Sequence, residues 1–345
     1  MSRPARARLV RCALAVAMVG LVGCRSDVVL GTIDAGPDAS LDAATPSTPS
    51  RIGSGSRIPW NGGRYFVLGA NLPWVGFSTD FGGADGLSSA FTRGEAEAAL
   101  ATAQADGARV VRWTMFTAAE DVIPIPYTLD GDGRVTGFRP DVLDDVDTAL
   151  TLAATYDVYL ILVVFTYDAP SAARLADPTE RAGLADAIAS VEARGRSSGR
   201  LLAVEVSPYT GALADRDALL AAAAARMRPS ATYLSTHVVN LEEAASACAS
   251  GADFVGFTHQ SAPVRIDART LRYDAVDPAP GCPLLVDIIY LDVPNADEAL
   301  VDIVARGWAG ALGWVLRVES VDPQVGIDGT ATTRFAANEP ATGPP

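Results

Sequence analysis

Eight short apolar runs, each rich in β-branched residues and separated by stretches of Ala, Leu and acidic residues, dominate the middle of this chain. They fall at 65–70, 110–114, 158–165, 201–206, 231–236, 254–258, 284–289 and 310–315, with helical segments predicted at 94–106, 140–156, 179–194, 215–227, 241–249 and 296–306. Strands alternating with helices build a parallel sheet, because a parallel pair needs a crossover long enough to carry a helix. Eight strands is the number a closed barrel requires, and about 280 residues is an ordinary length for one. An open doubly wound sheet could also use eight strands, but it would carry a glycine-rich phosphate turn after the first, and Gly69-Ala70-Asn71-Leu72-Pro73 is not one. The expected fold class is therefore α/β, a (β/α)8 TIM-type barrel over 57–335. The connection between the sixth and seventh strands is the weak one, since 265–280 reads as loop with Pro278 and Pro280.

The chain ahead of the barrel reads as an address and a spacer. Arg3, Arg6, Arg8 and Arg11 form a basic region, 12–22 is almost unbroken apolar sequence, and Leu21-Val22-Gly23-Cys24 follows. That is the pattern of a secretion signal, and the apolar run is about half the ~20 residues needed to span a bilayer. Leu-Val-Gly-Cys resembles the lipobox of bacterial lipoproteins, which implies a lipoprotein signal peptide over 1–24 with Cys24 as the lipidation site; the alternative is an ordinary cleaved signal. Residues 25–56 are mostly Asp, Ala, Pro, Ser, Thr and Gly, too poor in apolar groups to offset the entropy of ordering, and are expected to be a disordered linker. The Pro-rich 336–345 is expected to be a disordered tail. Localisation at the bacterial cell envelope follows, lipid-anchored at the outer membrane or periplasmic face, with the membrane met through the lipid anchor only.

The formal charge is −14 and all the positive charge is arginine, since the chain contains no lysine; nucleic-acid binding would want the opposite balance. Past Cys24 only Cys248 and Cys282 remain, neither with a His or Cys at ligand spacing, so no metal site and no cofactor is expected. Cys248 falls near a helix end and Cys282 just before a strand, both at the N-terminal face of a barrel. They are read as a possible disulfide or as two inert thiols.

In such barrels the chemistry sits at the C-terminal ends of the strands. Those ends carry Asn71, Trp74 and Asp80 after strand one, Arg112, Trp113 and Phe116 at strand two, and Tyr167 and Asp168 after strand three. Strand four brings Glu205, Ser207 and Tyr209, strand five His237 and Asn240, strand six His259 and Gln260, strand seven Asp287, Tyr290 and Asp292, and strand eight Trp314 and Arg317. Aromatic rings interleaved with hydrogen-bonding groups suit a sugar, whose C–H faces stack on rings and whose hydroxyls need directed partners. Rings within strands, such as Trp113 and Trp314, fit core packing equally well.

Several pieces in order resemble family 5 glycoside hydrolases, the cellulase and β-mannanase relatives. They are Gly69 to Trp74 with Asp80-Phe81-Gly82, Gly107 to Trp113, Gly131 to Val135, 150–165, Ala252 to His259 and Gly307 to Trp314. The resemblance implies that Arg112 supports a nucleophile, that His259 lines the sugar site and that Trp314 is a platform under the sugar; His237 has no such counterpart and reads as structural. It also implies an acid/base glutamate inside Asn-Glu-Pro at the end of strand four and a nucleophile glutamate ending strand seven. Retaining enzymes hold two such carboxyls roughly 5–5.5 Å apart. Here Ser207 and Ile288 occupy those places. A serine hydroxyl cannot usefully protonate a leaving oxygen at neutral pH, and isoleucine can do neither task. The nearby acids are Glu205, with inward parity but about 6–7 Å deeper, and Asp287, with the wrong parity unless a bulge intervenes. Asp168, Asp292 and Glu319 are the loop acids within reach of the same end.

The sequence thus points to an envelope lipoprotein whose glycosidase-like barrel has lost standard hydrolysis, a pseudoenzyme binding a polysaccharide or oligosaccharide through Asn71, Trp74, Arg112, Trp113, Asp168, His259 and Trp314. Two alternatives stay open: a divergent hydrolase of a β-linked polysaccharide using Glu205 and Asp287, and a non-catalytic scaffold binding envelope proteins.

Overall fold

The computed structural model describes residues 57–60, 62–76, 78–105, 107–117, 125–209, 211–239, 242–257, 281–289, 300, 303–304 and 307–314, without the side chains of 288, 289 and 314. The expected signal, Cys24, linker and tail lie outside the described residues, as do His259 and most of the helix expected at 296–306. In chain order the strands are β1 (Ile58–Trp60), β2 (Gly63–Tyr65), β3 (Val67–Leu72), β4 (Val110–Phe116), β5 (Tyr127–Leu129), β6 (Val135–Phe138), β7 (Tyr159–Tyr167), β8 (Leu201–Pro208), β9 (Tyr233–Val238), β10 (Phe254–Phe257), β11 (Leu284–Ile289) and β12 (Gly310–Trp314). The helices are α1 (Ala90–Ala105), α2 (Pro140–Thr155), α3 (Ala172–Ala176), α4 (Pro178–Ser198), α5 (Leu213–Met227) and α6 (Glu242–Ala249).

Eight of the strands close a parallel barrel in the order β3-β4-β7-β8-β9-β10-β11-β12, with β12 pairing back onto β3. The (β/α)8 expectation holds, and each of the eight expected runs contributes one stave. Local chemistry sets the helix starts. Asp177 caps α4 by accepting from the Thr179 amide at 2.7 Å, with Pro178 at the first helical position, and Gly199 ends the helix in the left-handed conformation at φ 67°.

Two short hairpins were not foreseen. One is β5–β6 between β4 and α2, whose turn is held by Asp130 accepting from the amides of Asp132 and Arg134, each at 2.9 Å. The other is β1–β2, whose turn includes Gly62 at φ 83°. It brings Ile58, Trp60 and Tyr65 into one apolar cluster with Val110, Tyr159, Ala203, Tyr233, Phe254 and Leu285, the inward residues near the feet of the staves. Trp60 lies 5.9 Å from Tyr159 and 5.7 Å from Tyr233, centroid to centroid. The hairpin therefore caps the barrel's foot.

The outward residues of the staves, among them Leu72, Val111, Trp113, Leu162 and Val206, pack against the helices in the larger core. Cys248 at the end of α6 and Cys282 before β11 are disulfide-bonded, their Cα atoms 5.8 Å apart. Among the described residues no helix is long and apolar enough to cross a membrane.

Because the Trp60 indole fills the foot of the barrel, Trp60→Ala leaves a cavity that the closed sheet cannot collapse. The expected cost is about 3–5 kcal/mol, read as a lowered midpoint in chemical denaturation with little change in slope.

Candidate functional site

Along the inward stripe of several staves the residue at the foot is small or apolar, and the residue two positions on is polar: Gly69 then Asn71, Val110 then Arg112, Ala203 then Glu205, Leu285 then Asp287. Side chains two apart share a face of a strand, so this switch stacks a charged layer directly above the apolar one. Arg112 is its centre. Its Nε donates to Glu205 Oε2 at 2.8 Å, its Nη2 to Glu205 Oε1, and its Nη1 to Asn71 Oδ1 at 2.9 Å. The same Nη2 stands 3.8 Å from Asp287 Oδ2. Asn71 in turn donates from Nδ2 to the carbonyls of Asp287 at 2.7 Å and Gly313 at 3.1 Å, tying β3 to β11 and β12.

The second carboxylate is held from the other side. His237 on β9 shares a hydrogen bond between Nδ1 and Asp287 Oδ2. Ser207 links β8 to β9, donating from Oγ to Glu205 Oε1 on its own strand at 2.8 Å and accepting from the His237 amide at 2.8 Å. Glu205 and Asp287 are 2% and 1% exposed, so neither carboxylate faces open solvent. Burial works to lower the Arg112 pKa, but the charge and hydrogen bonds of Glu205, and then Asp287, hold it above its ordinary value. Among the described residues no group of three His, Cys, Asp or Glu could hold a metal ion.

Asp287 was expected to have the wrong parity for this layer. It stands two residues after inward Leu285 and shares that face by ordinary alternation, while the register shift of β11 against β12 falls between Val286 and Ile289. Gly256 on β10 makes room for it: a Cβ there would meet Asp287 Oδ2 at 2.7 Å and its Cβ at 3.1 Å.

Above the layer stand two tyrosines. Tyr209, just past β8, sets its ring edge-on to His237 with centroids 5.5 Å apart, and Tyr167 at the end of β7 lies 5.1 Å from Tyr209. Burial, then the charge of Asp287 and the neighbouring Tyr167, push the Tyr209 phenol well above its usual range, and burial raises that of Tyr167 as well.

Arg112, Asn71, Glu205 and Asp287 are thus brought together, and Trp113 is not. Next to Arg112 it faces the opposite side of β4, fully buried against Phe81 at 5.3 Å with its indole N–H donated to Asp80 Oδ2 at 2.8 Å. A substrate-binding role for Trp113 is therefore replaced by a packing one. Asp80 is likewise no mouth residue; it holds the turn after β3 by accepting from the amides of Val75 at 2.7 Å and Gly76 at 2.5 Å. Its burial, working against these donors, pushes its pKa up to about 6. Trp74 is half-buried beyond β3, and Asp168 is exposed beyond β7 with its amide donated to the Thr117 carbonyl at 3.2 Å. Trp314 aligns with Asn71 on the neighbouring stave through its backbone; its side chain, that of Ile288, and His259, Asp292 and Glu319 lie outside the described residues. His237, placed at the end of its strand and read as structural from the sequence, turns out to hold Asp287; its inward parity with Tyr233 was the available signal.

No known family's sequence profile matches the chain, and no curated protein resembles it in sequence. Its fold does have solved counterparts. The β-mannanase of the blue mussel Mytilus edulis superposes with a TM-score of 0.64 at 13% identity, covering 86% of this chain and 97% of that one. The β-1,4-D-mannanase of Cryptopygus antarcticus gives 0.63 at 14% identity over 84% and 94% of the two chains. The endo-1,4-β-mannanase of Eisenia fetida gives 0.62 at 13% over 89% and 95%. At such identities the likeness is one of fold, a glycoside hydrolase-like barrel.

Removing the arginine strands two buried carboxylates together. Arg112→Met is expected to cost about 3–5 kcal/mol in chemical denaturation, and Glu205→Gln, which keeps one acceptor oxygen for the guanidinium, about 1–3 kcal/mol. A smaller loss for Arg112→Met than for Glu205→Gln would contradict this ordering.

Proposed function

We propose that this chain is a carbohydrate-binding, glycosidase-like lipoprotein whose barrel mouth recognises a β-linked polysaccharide without cleaving it. One observation carries the reading: of the two inward carboxylates, Glu205 gives both oxygens to Arg112, and Asp287 is held by His237 with the Arg112 guanidinium 3.8 Å away. A hydrolase needs one carboxyl able to deliver a proton to the leaving oxygen and another able to reach the anomeric carbon or activate water. An acid whose two oxygens are both bonded to a buried guanidinium does neither readily, because freeing one leaves the cation short of a partner in a low-dielectric interior. The place where the acid would be expected belongs to Ser207, which is spent on linking Glu205 to the β9 backbone.

The likeness in fold to β-mannanases supports a sugar as the ligand, and β-mannans are the first class to try. Asn71 and Arg112 belong to the polar floor beneath it. The lipobox-like Leu21 to Cys24 and the polar stretch after it support a barrel tethered at the cell envelope on a spacer.

A second reading has an observation of its own. One guanidinium nitrogen bonds Glu205 and stands 3.8 Å from Asp287, so the two carboxylates are neighbours in one layer, as the acid pair of a retaining glycosidase must be. In that reading Glu205 and Asp287 are the working pair, and Arg112 orders them in the resting state.

The two readings part in a single experiment on the full chain, with release of reducing ends and retention in affinity electrophoresis measured on mannans and β-glucans. Retention without turnover is the expected outcome. Turnover that disappears in Glu205→Gln would establish the hydrolase instead, and neither retention nor turnover would leave the protein-binding scaffold.

A further inference from the structure

Resting on that carbohydrate-binding reading, we infer that Tyr167 and Tyr209 form the stacking platform of the site and take a neutral pyranose unit across the β7–β8 side of the mouth. Large apolar side chains of the described residues are mostly buried, and four that are not, Tyr167, Tyr209, Leu213 and Val239, end or follow the adjacent staves β7, β8 and β9. Of these, Tyr167 and Tyr209 stand by the charged layer, near enough for Arg112 and Asp287 to act on both phenols. Tyr167 and Tyr209 leave 47% and 39% of their surface open, enough for a sugar's C–H face to lie against a ring.

The platform is built in advance. Tyr209 is braced between Tyr167 and the edge of His237, and its amide donates to the Tyr167 carbonyl at 3.0 Å, so little side-chain freedom remains to be lost on binding. Tyr167 itself adopts φ 49°, a left-handed conformation that a bulky residue takes only under constraint from its surroundings. Such conformations gather at ligand sites, and here the strained residue is one that presents an open aromatic ring. The phenols remain protonated at neutral pH, able both to donate to and to accept from sugar hydroxyls.

The chemical class follows from charge. The chain carries −14 and has no lysine, and among the described residues the cation of the floor, Arg112, is already matched by two carboxylates. An acidic polysaccharide meets a net negative chain and, among the described residues of the floor, a cation already paired, whereas a neutral one meets rings and neutral hydroxyls.

Calorimetric titration of the full chain with mannohexaose, cellohexaose and an oligogalacturonate tests this. Tyr167→Ala and Tyr209→Ala are each expected to weaken the neutral ligand about tenfold, with thermal unfolding unchanged, and Tyr209→Phe to weaken it less than about threefold because the stacking face survives. Binding by the unsubstituted chain that both alanine variants retain at full strength would overturn the platform and leave the carbohydrate reading standing. Absence of saccharide binding by the unsubstituted chain would remove that reading and the platform together. Oligogalacturonate bound as tightly as the neutral hexaoses would overturn the assignment to neutral sugars.

Discussion

A guanidinium buried inside a barrel is the constraint around which this molecule is arranged. Taking such a cation out of water is costly by several kcal/mol unless hydrogen bonds and opposite charge replace the water it loses. Arg112 finds these on other staves, with Asn71 41 residues away and Glu205 93 residues away in sequence. Asn71 then reaches carbonyls 216 and 242 residues distant. No local segment can satisfy the arginine. Asp287 and the carbonyls that accept from Asn71 arrive only when the seventh and eighth staves have returned to the first, so closure of the sheet completes the network around the charge.

The layer below makes that arrangement workable. With Ile58, Trp60 and Tyr65 of the hairpin packed among Tyr159, Tyr233 and Phe254, the foot is a packed core and not an aqueous channel. Charges above a dry floor are weakly screened, which strengthens each bond in the Arg112 network and makes any single deletion expensive. The inward alternation of two residues per step carries the change from apolar to polar within a single stave. Stability and recognition are thereby separated by one residue pair along the same strand.

The barrel was legible because its signal is repetitive: eight apolar runs, each broken by helix-forming sequence, reappear as the eight staves with boundaries moved by a few residues. The hairpins were not, since strands of three or four residues leave too short a pattern to stand out from loop, and the Asn-Gly pair in the sequence at 61–62 had no strongly alternating flanks beside it. At the site, Asn71, Arg112 and Glu205 follow from strand parity. Asp287 follows from parity too once it is counted from Leu285; counting from Ile288 misses it. Trp113 went astray for the converse reason: an aromatic next to a mouth arginine faces the helices by the same parity that turns the arginine inward. Tyr209 lies one residue beyond its stave, where parity no longer says which way a ring will turn.

The same charge balance bears on how far a motif reports activity. In a hydrolase, an arginine beside a carboxylate is read as support for a nucleophile. Here Arg112 is required by Glu205 and Asp287 whether or not any bond is broken, since deleting it leaves two anions facing each other in a buried layer. The arginine therefore testifies to the presence of inward carboxylates and not to their chemistry. What separates binding from catalysis is whether a carboxyl oxygen is left over after the internal bonds are made, and in this layer Arg112, Ser207 and His237 draw on the oxygens of both acids. A substrate would have to displace one of those partners to be cleaved, but it needs to displace none of them to rest on the rings above.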